Sequence, residues 1–114
     1  MVEYDLNDTI TAIATPLGES GIGIVRISGK DALRVADKIF VSKDKKKPSS
    51  FKTYTTHYGW IIEAQSSEVI DEVILTVMRA PKSYTREDTV EINCHGGILA
   101  LRDALDLVLE NGCR

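Results

Sequence analysis

The sequence predicts an α+β domain: a mixed, mainly antiparallel sheet of about five strands with helices packed on it. Three features point to it. Five stretches are β-branched or alternate apolar with polar residues, and two carry apolar residues at helical spacing. The 114 residues, 43% hydrophobic and 27% charged, have the make-up and length of one soluble globular domain.

Thr9 to Thr15 is rich in β-branched residues and stops at Pro16-Leu17-Gly18, which predicts a strand and then a loop. Ile22 to Ser28 is a second strand, closed by Gly29. From Lys30 to Phe40, Ala32, Leu33, Val35, Ala36, Ile39 and Phe40 form one helical stripe, with Ser28 or Asp31 placed to cap it. Ser42 to Ser50 reads as a polar loop. Thr53 to Ile62, aromatic and β-branched, is a third strand, followed by a turn at Gln65-Ser66-Ser67. Val69 to Met78 is a fourth, with Asp71 and Glu72 at its exposed beginning. Its run Val73-Ile74-Leu75-Thr76-Val77-Met78 is apolar on both parities, as expected of a central strand covered on both faces. Ala80 to Glu87 is a loop. Thr89 to Cys94 alternates cleanly as the last strand, and Ile98 to Asn111 is the longer helix, stopped by Gly112. The chain then ends two residues past a helix stop, where a further strand would start, so it is expected to be a fragment.

Composition excludes several classes. No window approaches the ~18 apolar residues of a membrane span, and the acidic start Met1-Val2-Glu3-Tyr4-Asp5 is not a secretory n-region. A cytoplasmic protein is expected. The formal charge is −3, unfavourable for general binding to phosphate backbones. Five lysines (Lys43, Lys45, Lys46, Lys47, Lys52) against Asp44 form a local basic stretch, read as solvated loop. Gly23 to Asp31 resembles a phosphate loop, but five residues separate its glycines and Asp31 stands where a hydroxyl is needed. Gly18 to Gly23 lacks the third glycine of a dinucleotide fingerprint. Cys94 and Cys113 have neither disulfide-framework nor zinc spacing. Cys94 and His95 are strand neighbours pointing to opposite faces, so they form no thiol–imidazole pair. His57 reads as a half-exposed strand residue without a visible partner.

Two residues stand out. Arg26 lies mid-strand in an apolar run, where a guanidinium must meet an anion. Its partner is either an internal carboxylate or a ligand's anionic or carbonyl group. Glu91 is a carboxylate mid-strand, on the parity opposite Val90, Ile92 and Cys94. It either lines a solvated face or offers two acceptors to the N–H and amino group of a pterin-like ring. The glycine-rich stretch 15–21 and Gly96-Gly97 either approach a ligand or partner closely or merely turn the chain.

Residues 8–30 (DTITAIATPLGESGIGIVRISGK) closely resemble the opening of the tRNA-modification GTPase family MnmE, also called TrmE. Residues 81–97 (PKSYTREDTVEINCHGG) resemble its second N-terminal block, P-x-S-[YF]-T-x-E-D-x-[VL]-E…H-G-G. Leu17, Glu19, Ser20 and Arg86 depart from the usual family residues, which bears on loop shape and charge. The resemblance implies an aminomethyltransferase-like folate-binding fold, with 1–114 as the N-terminal tetrahydrofolate-binding and dimerisation domain. Helical and GTPase domains would follow, and GTP, Mg²⁺ and K⁺ would belong to the latter. Family folate contacts carry over onto Arg26 and Glu91, and a third, a lysine, lies beyond Arg114. The implied ligand is a 5-formyl- or 5,10-methylene-type tetrahydrofolate. The implied partners are a second copy, the FAD-containing MnmG, and tRNA, whose wobble uridine receives an aminomethyl-type group at carbon 5. No membrane is implied. A rival reading is a pure assembly module without folate binding in isolation. A stand-alone one-carbon transferase is disfavoured, because no nucleophile or general base is positioned here.

Overall fold

The computed structural model describes residues 8–13, 23–81, 87–95 and 97–113. Six strands and two helices form in the order β1 (Ile10–Ile13), β2 (Gly23–Ser28), α1 (Ala32–Ile39), β3 (Phe40–Ser42), β4 (Thr55–Ile62), β5 (Val69–Met78), β6 (Thr89–Cys94) and α2 (Gly97–Glu110). The strands make one sheet of order β1-β2-β6-β5-β4-β3, and every neighbouring pair is antiparallel. The α+β expectation holds, with one strand more than expected and no parallel pair among the described residues.

The extra strand has a local cause. After Ile39 the chain leaves helical geometry at once, with Phe40 extended, and Phe40–Ser42 pairs with Gly59–Ile61 of β4. The rest of the expected 42–50 loop is held by backbone chemistry. The Ser42 hydroxyl accepts from Lys46 N at 2.8 Å and donates to Lys46 O at 3.0 Å, and a single 3-10 turn spans Pro48–Ser50.

The two helices bury one stripe each, Ala32, Leu33, Val35, Ala36 and Ile39 from α1, and Ala100, Leu101, Ala104, Leu107 and Val108 from α2. They meet the sheet face built by Val25 and Ile27 (β2), Val90, Ile92 and Cys94 (β6), and Val73, Leu75 and Val77 (β5), all buried. Period-2 alternation puts these residues on one face and fixes the register, because a one-residue slip would turn the whole set over. The expected caps of α1 do not form: Asp31 makes no side-chain cap bond. Its carboxylate instead faces Arg34 at 3.3 Å, while Thr9 Oγ1 accepts from Asp31 N at 3.0 Å and Gly29 O accepts from Ala32 N at 3.2 Å.

The other face of the sheet departs from expectation. β5 was expected to be covered on both sides, yet Glu72 and Ile74 are exposed and Thr76 is half-buried. Ile74 and Thr76 supply the second apolar parity without a covering layer among the described residues. Asp71, expected at an exposed strand start, is half-buried and accepts from His95 N at 2.8 Å.

Candidate functional site

Arg26 and Glu91 are direct cross-strand partners on β2 and β6, with Ala12 opposite Arg26 on β1 and Thr76 opposite Glu91 on β5. All four lie on the face away from the helices. Directly opposed residues of an antiparallel pair have Cβ atoms about 5 Å apart, so the guanidinium and carboxylate meet. Arg26 Nε donates to Glu91 Oε2 at 2.7 Å, and Nη2 lies 2.6 Å from the same oxygen. Among the described residues nothing hydrogen-bonds Glu91 Oε1. The side chains are 38% and 19% exposed, so the pair is partly buried and keeps some surface toward solvent. Of the two alternatives for Arg26, the internal carboxylate is therefore realised, and Glu91 is that carboxylate.

A cavity of about 210 Å³ adjoins the pair on the β1 side, lined by Ile10, Thr11, Ala12, Arg26 and Ser28. The small side chain of Ala12 leaves this space beside the guanidinium. Thr11 Oγ1 donates to Arg26 O at 2.9 Å and Ser28 Oγ to Glu87 Oε2 at 3.2 Å. On the other flank, Asn93 Nδ2 donates to Ile74 O at 3.2 Å. Further along the same face, Tyr58 and Trp60 meet edge-to-face, centroids 5.5 Å apart. The Glu72 carboxylate hydrogen-bonds the Tyr58 phenol and raises its pKa above the usual value. The sequence reading did not assign Ala12, Ile74, Tyr58 or Trp60 to this face. Strand parity alone carried that signal, but only with the register known.

The remaining candidates go elsewhere. The Cys94 thiol is buried in the core, which pushes its pKa up to about 12, and burial raises Cys113 to about 11. Neither supplies a thiolate at neutral pH. His57 has partners after all: its ring stacks on Phe51 at 3.5 Å between centroids, and Nε2 hydrogen-bonds Thr55 Oγ1 at 2.8 Å. Burial is the main cause that lowers its pKa. The lysine stretch borders a cavity of about 320 Å³ shared with Asp37, Phe40, Val41 and Ser42, and Lys43, Lys45, Lys46 and Lys47 are exposed. Gly97 opens α2 at φ +80°. Residues 14–22 and, within the second sequence block, residues 82–86 and Gly96 lie outside the described residues.

The paired ions on β2 and β6 belong to the two sequence blocks, and the whole-chain comparison agrees with them. Residues 9–114 match the sequence family described as "GTP-binding protein TrmE N-terminus". The chain belongs to this family. It is 51% identical over 109 residues to the tRNA modification GTPase MnmE of Carboxydothermus hydrogenoformans, covering 96% of this chain and 24% of the relative. The same-named protein of Geobacillus kaustophilus is 52% identical over 114 residues, covering 100% and 24%. That of Lactobacillus gasseri is 53% identical over 107 residues, covering 94% and 23%. The chain thus spans about a quarter of the length of these TrmE relatives. No helix among the described residues is long and apolar enough to cross a membrane.

Proposed function

We propose that this domain binds a tetrahydrofolate derivative of the 5-formyl or 5,10-methylene type and mediates homodimerisation, as the N-terminal part of a cytoplasmic tRNA-modifying GTPase. The observation that supports it most is the Arg26–Glu91 pair: two charged groups fixed on rigid strands, on a half-open face, beside a cavity of about 210 Å³. Rigid placement leaves little ordering entropy to lose on binding. The carboxylate is suited to the donor edge of a pterin-like ring, and hydrogen bonds to a charged acceptor are the stronger kind. The guanidinium is suited to another polar part of the same ligand. In the complete protein, GTP with Mg²⁺ and K⁺ would serve a separate GTPase domain. MnmG and tRNA would be its partners in placing an aminomethyl-type group on the wobble uridine.

Titration with a stable 5-formyl folate tests the reading. Glu91→Gln keeps size and loses charge, and it should weaken binding by about 1.5–3 kcal/mol, the range for bonds to charged groups. Arg26→Lys keeps charge, loses the planar fork, and should also weaken it. Unchanged affinity in both variants, with melting temperatures lowered, would leave only a structural ion pair. A domain that self-associates in sedimentation yet binds no folate would instead be a pure assembly module.

A further inference from the structure

We infer that the β3–β4 edge of the open sheet face docks single-stranded RNA, with bases stacking on Tyr58 and Trp60 and phosphates held by Lys43, Lys45, Lys46 and Lys47. This surface lies apart from the ion pair and is independent of the folate reading. That the strand is RNA rests on the tRNA reading above. Tyr58 and Trp60 stand two residues apart on β4, so both project from the side of the sheet away from the helices. Their rings meet edge-to-face at 69°. Ile74 lies opposite Tyr58 on β5, and Val41 lies opposite Trp60 on β3. Tyr58, Ile74 and Val41 are 44%, 38% and 37% exposed, so aromatic and aliphatic surface is continuous across three strands. The hydrogen bond to Glu72 holds the Tyr58 phenol, and with it the ring. Exposed aromatic rings on a sheet are platforms for unpaired bases, every one of which has a π face to stack.

The lysines begin where the rings end. Lys43 N donates to Tyr58 O at 3.0 Å, which carries the β3–β4 ladder one residue past Ser42. Alternation then sets Lys43 on the side of Val41, beside Tyr58. The loop beyond is fixed from below by the buried Ser42. Lys45 N donates to its carbonyl oxygen at 3.0 Å, and Lys46 N to its hydroxyl at 2.8 Å. Lys45, Lys46 and Lys47 border the cavity of about 320 Å³ that Val41 also lines, so the cations and the apolar patch share a boundary residue. Asp44 is the one carboxylate within this run of four lysines. The formal charge of −3 opposes a polyanion at long range. It is screened within about 8 Å at physiological salt, so a strand lying on this edge meets the lysines first. Glu72, opposite Trp60 on the β5 side, repels phosphate but accepts from the amino group of a stacked cytosine. The polarity is therefore set: phosphates toward β3, bases toward β5. An apolar protein partner has no use for the lysines. A duplex has no use for the rings, because its bases are already stacked on one another.

Trp60 is the single tryptophan of the chain, so its fluorescence reports stacking directly. The experiment titrates a short single-stranded RNA of mixed sequence, and the same sequence as a duplex, against the 114-residue chain at several salt concentrations. The single strand should quench Trp60, and the duplex should bind at least fivefold more weakly. Tyr58→Leu should weaken single-strand binding at least fivefold with the salt dependence unchanged, the loss of one stacking partner. Replacing Lys43, Lys45, Lys46 and Lys47 together by serine should instead lower the salt slope by about 2, at roughly 0.7 per phosphate contact on a single strand. Anisotropy of the labelled strand on the complete protein makes the same comparison and adds Trp60→Leu, with Trp60→Phe restoring binding, so the outcome does not depend on the segment folding alone. Absence of quenching overturns the surface. So does binding that ignores both ring variants and takes the duplex equally well, which would leave the lysines as guards of the free β3 edge. Intact tRNA should also bind the complete protein at least fivefold more weakly after Tyr58→Leu. Oligonucleotide binding that needs the rings while tRNA binding does not overturns tRNA as the source of the strand and leaves the stacking surface standing.

Discussion

Replacing Gly59 by alanine should destabilise the domain by about 2–3 kcal/mol, the net of two opposed effects. Gly59 is buried mid-β4, opposite Ser42 of β3 and Val73 of β5. A Cβ there would overlap the Val41 carbonyl oxygen and stand 2.7 and 2.8 Å from two atoms of the Phe40 ring. A backbone oxygen in a paired strand cannot swing aside as a flexible side chain can, so β3 itself must shift. With only three residues in β3, such a shift loses two or three ladder hydrogen bonds at about 0.5–1.5 kcal/mol each. It also exposes part of Phe40, which is 3% exposed, at roughly 25 cal/mol per Å². Against this, alanine restricts the unfolded chain and returns about 0.4–1 kcal/mol. The steric cost wins. At about 4 °C per kcal/mol for a domain of this size, the melting temperature should fall by about 8–12 °C. Amide exchange at Phe40, Ser42 and Lys43, whose N donates to Tyr58 O, should accelerate more than exchange in β6. Gly97→Ala is the contrast: nothing lies within 4 Å of its Cβ, so only the left-handed backbone costs, about 1–2 kcal/mol. Urea and thermal melts measure both. A Gly59→Ala protein within 0.5 kcal/mol of wild type, or exchange accelerated uniformly, would refute the steric account.

Raised thiol pKa values mean that the folded state holds protons the unfolded state releases. Stability from Cys94 and Cys113 is therefore complete below the ordinary thiol pKa of 9.0 and falls as pH rises toward about 11 and about 12. Urea melts across that alkaline window should show the decline, shallower in Cys94→Ala, and a thiol reagent at pH 8 should label both only on unfolding. His57 has the opposite sign. Its lowered pKa favours the neutral ring in the folded state, so its contribution is present above 6.5 and is lost as pH falls below it. His57→Phe keeps the stack on Phe51 and should flatten that acid limb in melts at pH 5 and 7. Replacing Lys43, Lys45, Lys46, Lys47 and Lys52 together by serine should leave melting temperature and folate affinity unchanged, since exposed charges are screened within about 8 Å at physiological salt.

How much of this was legible in the sequence follows from what each residue depends on. Period-2 and period-3.6 patterns depend on neighbours in sequence, and they located β2, β4, β5, β6 and both helices to within a few residues. Strand β3 was missed because Phe40-Val41-Ser42 carries no pattern of its own and is a strand only by pairing with β4. The open face was misread at β5 because Ile74 and Thr76 look like core when the layer above them is unknown. Arg26 and Glu91 were singled out separately, each as a charge mid-strand. Their pairing needed the β2–β6 register, a fact about residues 65 apart. His57 was called partnerless for the same reason, since Phe51 reaches it only after the 48–50 turn bends back over the sheet.

The position of β6 in the sheet has a consequence for how the chain reaches this state. Strands β1 and β2 form one ribbon and β3, β4 and β5 another, and the last strand in sequence inserts between them. During synthesis, both ribbons must wait with an unpaired edge, on β2 and on β5, until residues 89–94 are available. Unpaired edges are templates for pairing with other chains, and contacts of long sequence separation form slowly. Arg26 sits on one of those waiting edges and Glu91 on the strand that closes it. Until closure, the arginine places a charge on an otherwise adhesive strand and resists edge-to-edge pairing with a neighbouring nascent chain. The same cation then serves twice, guarding the open strand before the sheet is complete and gripping a carboxylate afterwards.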